Sequence, residues 1–314
     1  MIETRGLRRT FRSRRSEVVA VDGVDLRVEA GEVFGFLGPN GAGKTTTLRM
    51  LATLLPPTGG DAWVAGCDLC REPGRVRERI GYVAQGGATD PTVHGRDELV
   101  LQGRLYGLSK MEAQRRTSEL LATLELEGCA DRPIGTYSGG QRRRLDLALG
   151  LVLRPRLVFL DEPTTGLDPQ GRARMWDEVR RLRDQGSTVF LTTHYLEEAD
   201  ALCQRLAIID HGKIVAEGTA KELKRQIAGD LVIVGINGEP QVAHALLIQE
   251  PFVREASCED GRLRLYVEHG QAAMPAILRA LDRAGLELRT ISLSRPTLDD
   301  VFLRQTGRSL RDAA

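Results

Sequence analysis

Short runs of apolar residues with few polar interruptions recur along the chain at Val33–Leu37, Ile80–Ala84, Leu157–Asp161, Thr188–Thr193 and Leu206–Ile209. Each is too short for a globular helix, so each reads as a buried strand. Ahead of them, Ile2–Phe11 and Val18–Val28 predict an antiparallel pair, and Asp61–Ala65 predicts a further strand. Helical patterning fills the gaps: Thr46–Leu54, an insert from about Thr92 to Gly150, and Gln170–Gln185, where Met175, Val179 and Leu182 mark one face and Gly186 ends the helix. Inside the insert, Ser109 and Glu112 have capping-box spacing ahead of Leu120, Leu121 and Leu124. The strands Leu206–Ile209 and Lys213–Ala216 meet at His211-Gly212, a hairpin turn, and a polar helix from Thr219 to Ile227 follows.

Beyond Gly229 the pattern changes to β-α-β-β-α-β. Strand Leu231–Ile236 and helix Val242–Ile248 precede a hairpin, Phe252–Ser257 with Leu263–Val267, turning at Asp260-Gly261. Met274, Ile277, Leu278 and Leu281 then mark a helix, and Leu286–Leu293 a last strand. The order predicts a small ferredoxin-like α+β module. Its tail, Arg295 to Arg304, starts another helix with Thr297 and Asp300 in capping-box spacing.

The candidate chemistry sits where the apolar runs end. Gly38 to Thr45 read G-P-N-G-A-G-K-T directly after the run at Val33. Gly38, Gly41 and Gly43, with Asn40 between them, let backbone N–H groups turn around phosphates; Lys44 reaches the β- and γ-phosphates, Thr45 ligates Mg2+, and Thr46 opens the following helix, whose N-terminal dipole faces the anion. The run at Leu157 ends in Asp161, placed for the second Mg2+ contact, and Glu162 beyond it is placed to polarise water for in-line attack. Taken alone, an Asp-Glu pair there also suits a solvated helix start. Tyr137-Ser-Gly-Gly-Gln141 opens a helical run beginning Arg142-Arg-Arg, a second anion-binding N-terminus.

With that string the chain resembles the ATP-binding cassette (ABC) ATPases over residues 1 to about 225. The resemblance implies a P-loop nucleotide-binding domain with a RecA-like core and antiparallel-β and helical subdomains. It implies that Ser138, Gly139, Gly140 and Gln141 cap the γ-phosphate of ATP held by a second cassette in a head-to-tail dimer. Gln85 matches the glutamine loop that senses Mg2+ and the attacking water, Asp168 the segment linking the two sites, and His194 the switch histidine on the γ-phosphate. By themselves these would be a strand-end Gln, a helix N-cap before Pro169 and a structural His. Phe11 stands where the family carries an adenine-stacking aromatic, although the Arg-rich stretch Arg12 to Arg15 blurs the register. The implied ligands are ATP and Mg2+, with Thr45, Gln85 and Asp161 around the metal.

Composition removes other classes. Of 314 residues, 41% are hydrophobic and 28% charged, with net charge +1, so there is core enough for a full domain and a smaller one but no overall basic field for nucleic acid. Arg142–Arg144 is expected to meet phosphate or a partner's acidic groups. No apolar run reaches membrane-spanning length, and the N-terminus lacks a continuous apolar export segment. Five cysteines suit a reducing cytosol, and Cys67-Asp-Leu-Cys70 reads as a surface turn, there being no second pair at zinc spacing.

The run Tyr137–Leu147 and the tail together resemble the daunorubicin-resistance type of ABC ATPase. That implies an ATP-hydrolysing exporter subunit at the cytoplasmic face of the membrane, working as a homodimer, or a heterodimer with a second cassette, with a separate ABC-2-type membrane permease. The expected division is a nucleotide-binding domain over 1–227 and an accessory module over 228–314 that dimerises or regulates. A nucleic-acid or ribosome ATPase is disfavoured by the short step from Gln85 to Ser138 and the single cassette, an importer ATPase by the helix–strand alternation of the tail, and a degenerate scaffold by the presence of Lys44, Asp161, Glu162 and His194.

Overall fold

The computed structural model describes residues 1–12, 17–87, 89–226, 229–259, 261–294 and 297–306. Of the expected features, the turn at Ser13–Arg15, the helix end at Ile227, Asp260 and the segment Arg295–Pro296 lie outside the described residues. The chain divides into two compact units, one of Met1–Ala220 and one beginning at Lys221. The boundary expected from sequence lies at the other end of the short helix between them.

The first unit contains two sheets. Strands β1 (Ile2–Arg12) and β2 (Glu17–Val28) pair antiparallel as expected. Strand β3 (Val33–Leu37), buried along its whole length, runs into the glycine-rich loop and helix α1 (Lys44–Leu51). That helix begins and ends before the expected Thr46–Leu54. Gly43, left-handed at φ 107°, serves as its N-cap and releases the helix immediately, while Thr53 at φ 61° reverses the chain after Leu51. Next come β4 (Gly59–Val64) and β5 (Cys67–Asp68), which complete a four-stranded sheet in the order β2-β1-β4-β5. Cys67 is therefore buried in a short strand rather than lying in a surface turn, and of that pair Cys70 alone is exposed.

After helix α2 (Pro73–Arg77) and strand β6 (Ile80–Val83) come three helices, α3 (Gly95–Leu105), α4 (Lys110–Thr123) and α5 (Gly139–Gly150). Ser109 caps α4 in the predicted box with Glu112. The core resumes with β7 (Leu157–Asp161), α6 (Pro169–Asp184), β8 (Thr188–Thr193), α7 (Leu196–Leu202), β9 (Arg205–Asp210) and β10 (Lys213–Gly218). His211 and Gly212, both at positive φ, make the β9–β10 turn. The second sheet has the order β10-β9-β3-β8-β7-β6, parallel except for β10. Its centre is aromatic: the rings of Phe34, Phe36 and Phe159 lie 5.8, 5.6 and 5.7 Å from Phe190. The register sets Val83 beside Leu160, Asp161 beside Thr192 and Leu37 beside Thr193, so the residues that follow leave the sheet along one carboxyl edge. In an open parallel sheet this edge is where ligands bind.

Helix α8 (Ala220–Gln226) follows. The second unit then runs β11 (Asp230–Ile236), α9 (Pro240–Leu247), β12 (Val253–Glu259), β13 (Arg262–Val267), α10 (Gly270–Arg283), β14 (Leu288–Ser294) and α11 (Leu298–Thr306). Its antiparallel sheet, β12-β13-β11-β14, has ferredoxin-like order. Residues of α9 and α10, including Ala243, Leu247, Ile277 and Leu281, share one core with Val232, Val234 and Leu265 of the sheet. The last helix is held through Asp300, which is 3% exposed. One of its carboxylate oxygens accepts from Arg264 and from the Tyr266 hydroxyl, the other from Thr297.

Candidate functional site

Four strand ends supply one cluster. The glycine-rich loop after β3 is shaped by contacts that exclude side chains: a Cβ at Gly38 would lie 2.3 Å from the Ile209 carbonyl, and one at Gly43 2.5 Å from that of Ala20. Lys44, at the start of α1 and 5% exposed, donates to the carbonyls of Gly38 (2.8 Å) and Pro39 (3.1 Å) and lies 3.4 Å from Oε1 of Glu162. Burial pushes its ammonium below the ordinary value, and the Glu162 carboxylate recovers part of that fall.

Glu162 is the hub. It follows β7 in a left-handed conformation, φ 45°, which costs a residue with a Cβ about 1 kcal/mol. Its N–H bonds the Thr192 carbonyl and hydroxyl, each at 3.1 Å. Beyond Lys44 on Oε1, its Oε2 accepts from Gln85 Nε2 at 2.8 Å and the Thr165 hydroxyl at 3.2 Å. His194 Nδ1 stands 3.2 Å from the same oxygen but without hydrogen-bond geometry. Burial on its own would raise the Glu162 carboxyl. The His194 ring and the Lys44 ammonium outweigh it and bring the group down to about 2.

Asp161, 1% exposed, turns the other way. Its Oδ1 accepts from the hydroxyls of Thr45 (3.0 Å) and Thr192 (2.7 Å). The carboxylate and the hydroxyl of Thr45 offer oxygen donors of the kind that suits a hard divalent cation beside a phosphate, while Gln85 contacts Glu162 through its amide nitrogen.

A separate cleft of about 380 Å³ gathers the other predicted residues: Ser138, Gly139, Gly140 and Gln141 face Asp168 and Arg174 across it. Ser138 caps α5 in a reciprocal box with Gln141, whose side chain is thereby engaged, and a Cβ at Gly139 or Gly140 would meet open space. Asp168 caps α6 by accepting from Gly171 N–H at 2.9 Å. Among the described residues no side-chain hydrogen bond or ion pair joins this cleft to the Glu162 cluster. Asn40 and Gly41 are exposed on the phosphate loop and Thr46 is half-buried in α1. Phe11 stands on β1, 41% exposed, with the Arg9 guanidinium 4.7 Å over its ring.

Comparison with known proteins shows the fold and the family. Residues 21–165 match the family model described as ABC transporter, and residues 218–306 match that of the ATP-binding protein DrrA1-3-like, C-terminal domain. A daunorubicin resistance ATP-binding protein of Streptomyces coeruleorubidus is 47% identical over 94% of both chains. The chain belongs to the ABC transporter ATP-binding subunits of the daunorubicin-resistance group. A daunorubicin/doxorubicin resistance ATP-binding protein of Streptomyces peucetius is 46% identical over 99% of this chain and 94% of its own. Among solved structures, a dimeric ATP-binding cassette in a post-hydrolysis state, bound to ADP and Pi, superposes with a TM-score of 0.65 at 25% identity, covering 70% of this chain and 98% of that one. As an ABC cassette the chain is an ATP-binding enzyme that hydrolyses ATP.

Three contributors escape a reading of the sequence. Thr165 and Thr192 look like ordinary loop and strand residues; the pairing of Asp161 with Thr192 is what turns the latter hydroxyl onto the carboxylate. The third corrects the expectation for Arg142–Arg144. Arg143 is buried, 7% exposed, and bonds backbone carbonyls rather than phosphate. Arg144 reaches the Leu124 carbonyl and Glu125, and Arg142 approaches the Thr89 carbonyl at 3.4 Å.

Proposed function

We propose that this chain is the ATP-hydrolysing subunit of an exporter in which two cassettes enclose two ATPs head to tail and act on a separate ABC-2-type membrane permease. The observation that carries the mechanism is the convergence of Lys44, Gln85, Thr165 and His194 on the Glu162 carboxylate. With Lys44 beside it, that carboxylate is too acidic to take a proton from water near neutral pH. A bound triphosphate draws Lys44 to its β- and γ-oxygens and adds negative charge, both of which raise the carboxyl. Glu162 then accepts the proton of the attacking water, Gln85 orients that water, and His194 holds the γ-phosphate.

Thr45 and Asp161, with Gln85, would hold Mg2+, which would supply neutralisation of phosphate charge. Ser138, Gly139, Gly140 and Gln141, at the N-terminus of α5 and with open space at both glycines, suit the γ-phosphate held by a second cassette, and Asp168 on the same cleft suits the crossing between sites. Phe11 is assigned to adenine. The module over 228–314 is assigned to holding or regulating the dimer.

No helix among the described residues is long and apolar enough to cross a membrane. In the proposed assembly the permease supplies the path and the cassette works peripherally at the cytoplasmic face. A groove of about 340 Å³ beside the Gln85 loop, lined by Leu54, Tyr82, Gly87, Gln102 and Tyr106, suits a permease segment; Leu54 and Tyr106 are 55% and 50% exposed. Similarity to daunorubicin and doxorubicin resistance proteins supports a drug cargo, and lipid-like compounds belong to the same proposal.

The test is Glu162→Gln, purified from mildly solubilised membranes with ATP and Mg2+. Retained ATP binding, lost turnover, a trapped dimer and a co-purified polytopic membrane protein are expected. Ordinary turnover would remove Glu162 from its role, and recovery of ribosomes or DNA in place of a membrane protein would overturn the exporter reading.

A further inference from the structure

A buried guanidinium in an interior must find acceptors for its donors, and the acceptors Arg143 finds belong to the catalytic loops. From the second turn of α5, its Nε donates to the Pro163 carbonyl at 2.8 Å, and Nη2 to those of Asp161 (3.1 Å) and Glu162 (3.4 Å). Nη1 donates to the Ala84 carbonyl at 2.5 Å. Three successive carbonyls converge on one cation because the chain turns left-handed at Glu162. The fourth belongs to the residue immediately before Gln85. One side chain therefore fixes the backbone on both sides of the Glu162–Gln85 hydrogen bond. It also sits on the same helix as Ser138, about 7.5 Å along the axis from that N-cap.

We propose that Arg143 is a positioning residue for ATP hydrolysis: it holds Glu162 in its left-handed conformation and Gln85 against it, and ties both to the helix that presents Ser138 to the opposite nucleotide. The last clause rests on the head-to-tail dimer proposed above. The planar, five-donor geometry is what the site uses, since a lysine carries the same charge but only three donors on a single atom and cannot span carbonyls from two loops. Arg143 touches no reacting atom. Its effect passes through the two residues it positions and through the movement of α5, so that engagement of one ATP by Ser138 alters the carboxylate serving the other.

The test uses the full chain in four forms: unsubstituted, Arg143→Lys, Gln85→Ala and the double variant. Equilibrium binding of labelled ATP with Mg2+, kcat, the Hill coefficient for ATP and the thermal midpoint are measured on each. Arg143→Lys is expected to lower kcat about tenfold or more while the ATP dissociation constant stays within about threefold, and to reduce cooperativity between sites. The double variant should be no slower than the slower single variant within about threefold, because both changes break one unit. Multiplicative losses, an unchanged kcat, or ATP affinity and thermal midpoint falling together with kcat would each overturn the proposal. Backbone amide exchange reads the same clamp without catalysis: segments 84–87 and 161–165 should both exchange faster in Arg143→Lys, and unchanged exchange in either would also overturn it. Absence of hydrolysis by the unsubstituted chain counts against the proposed function instead and leaves the exchange result to decide the clamp.

Discussion

Thr192→Val isolates one hydroxyl at the centre of the site. Thr192 is completely buried on β8, and valine has nearly its volume, so the substitution opens no cavity. Two interactions end at its Oγ1: the bond donated to Asp161 at 2.7 Å and the one accepted from Glu162 N–H at 3.1 Å. The second loss is minor, because the same N–H keeps the Thr192 carbonyl at 3.1 Å. The first is a bond to a buried carboxylate, which retains only the Thr45 hydroxyl on that oxygen; a hydrogen bond to a charged group contributes about 1.5–3 kcal/mol. A loss near 2 kcal/mol lowers the melting temperature of a unit of this size by about 4–8 °C. Fluorescence reports this unit selectively, since both tryptophans of the chain, Trp63 and Trp176, lie within Met1–Ala220. A thermal midpoint within about 1 °C of the unsubstituted chain, together with unchanged ATP turnover, would show that the hydroxyl does not hold Asp161.

Two further outcomes follow from the charges. Glu162 titrates at about 2 when folded against an ordinary 4.5, so its contribution to stability is complete above the unfolded value and is lost as pH falls from 4.5 toward 2. Urea midpoints read by tryptophan fluorescence should drop through that window by the equivalent of about 1–3 kcal/mol, and Glu162→Gln should lack this component; parallel curves would contradict the assignment. In the second unit, Asp300→Asn removes the charge that Arg264 and Tyr266 share and should cost about 2 kcal/mol, read as roughly 30-fold faster amide exchange along α11. Unchanged exchange would mean that apolar contacts of Val301 and Phe302 alone dock the helix.

Strands β3, β7 and β8 are legible because each is buried throughout, leaving mainly apolar runs whose ends locate the chemistry. Ser109, Ser138 and Asp168 were legible as caps because a cap is a local relation over three residues. The short elements α2, α7 and β5 were not, since five, seven and two residues carry too little periodicity to register. Arg143 failed for a different reason. Flanked by two arginines it reads as one of a run that meets phosphate or a partner's acidic groups, and only the convergence of backbone carbonyls from two distant loops marks it as interior.

The same distinction bears on how nucleotide would drive the cassette. Lys44 is not waiting without partners: two loop carbonyls and the Glu162 carboxylate already satisfy it. Phosphate binding is therefore an exchange of partners, and its net gain is smaller than the count of new contacts suggests. A ligand moves a conformational equilibrium only by what it gains in one state over the other. Contacts within the first site are available in both open and closed states, so the differential must come from groups that reach the nucleotide on closure. In the proposed head-to-tail dimer those are the Ser138 helix N-terminus and its glycines, which have no hydrogen bond or ion pair to the Lys44–Glu162 cluster among the described residues. One side-chain link between the two is Arg143, and it runs through backbone that a change in Lys44's partners does not have to break.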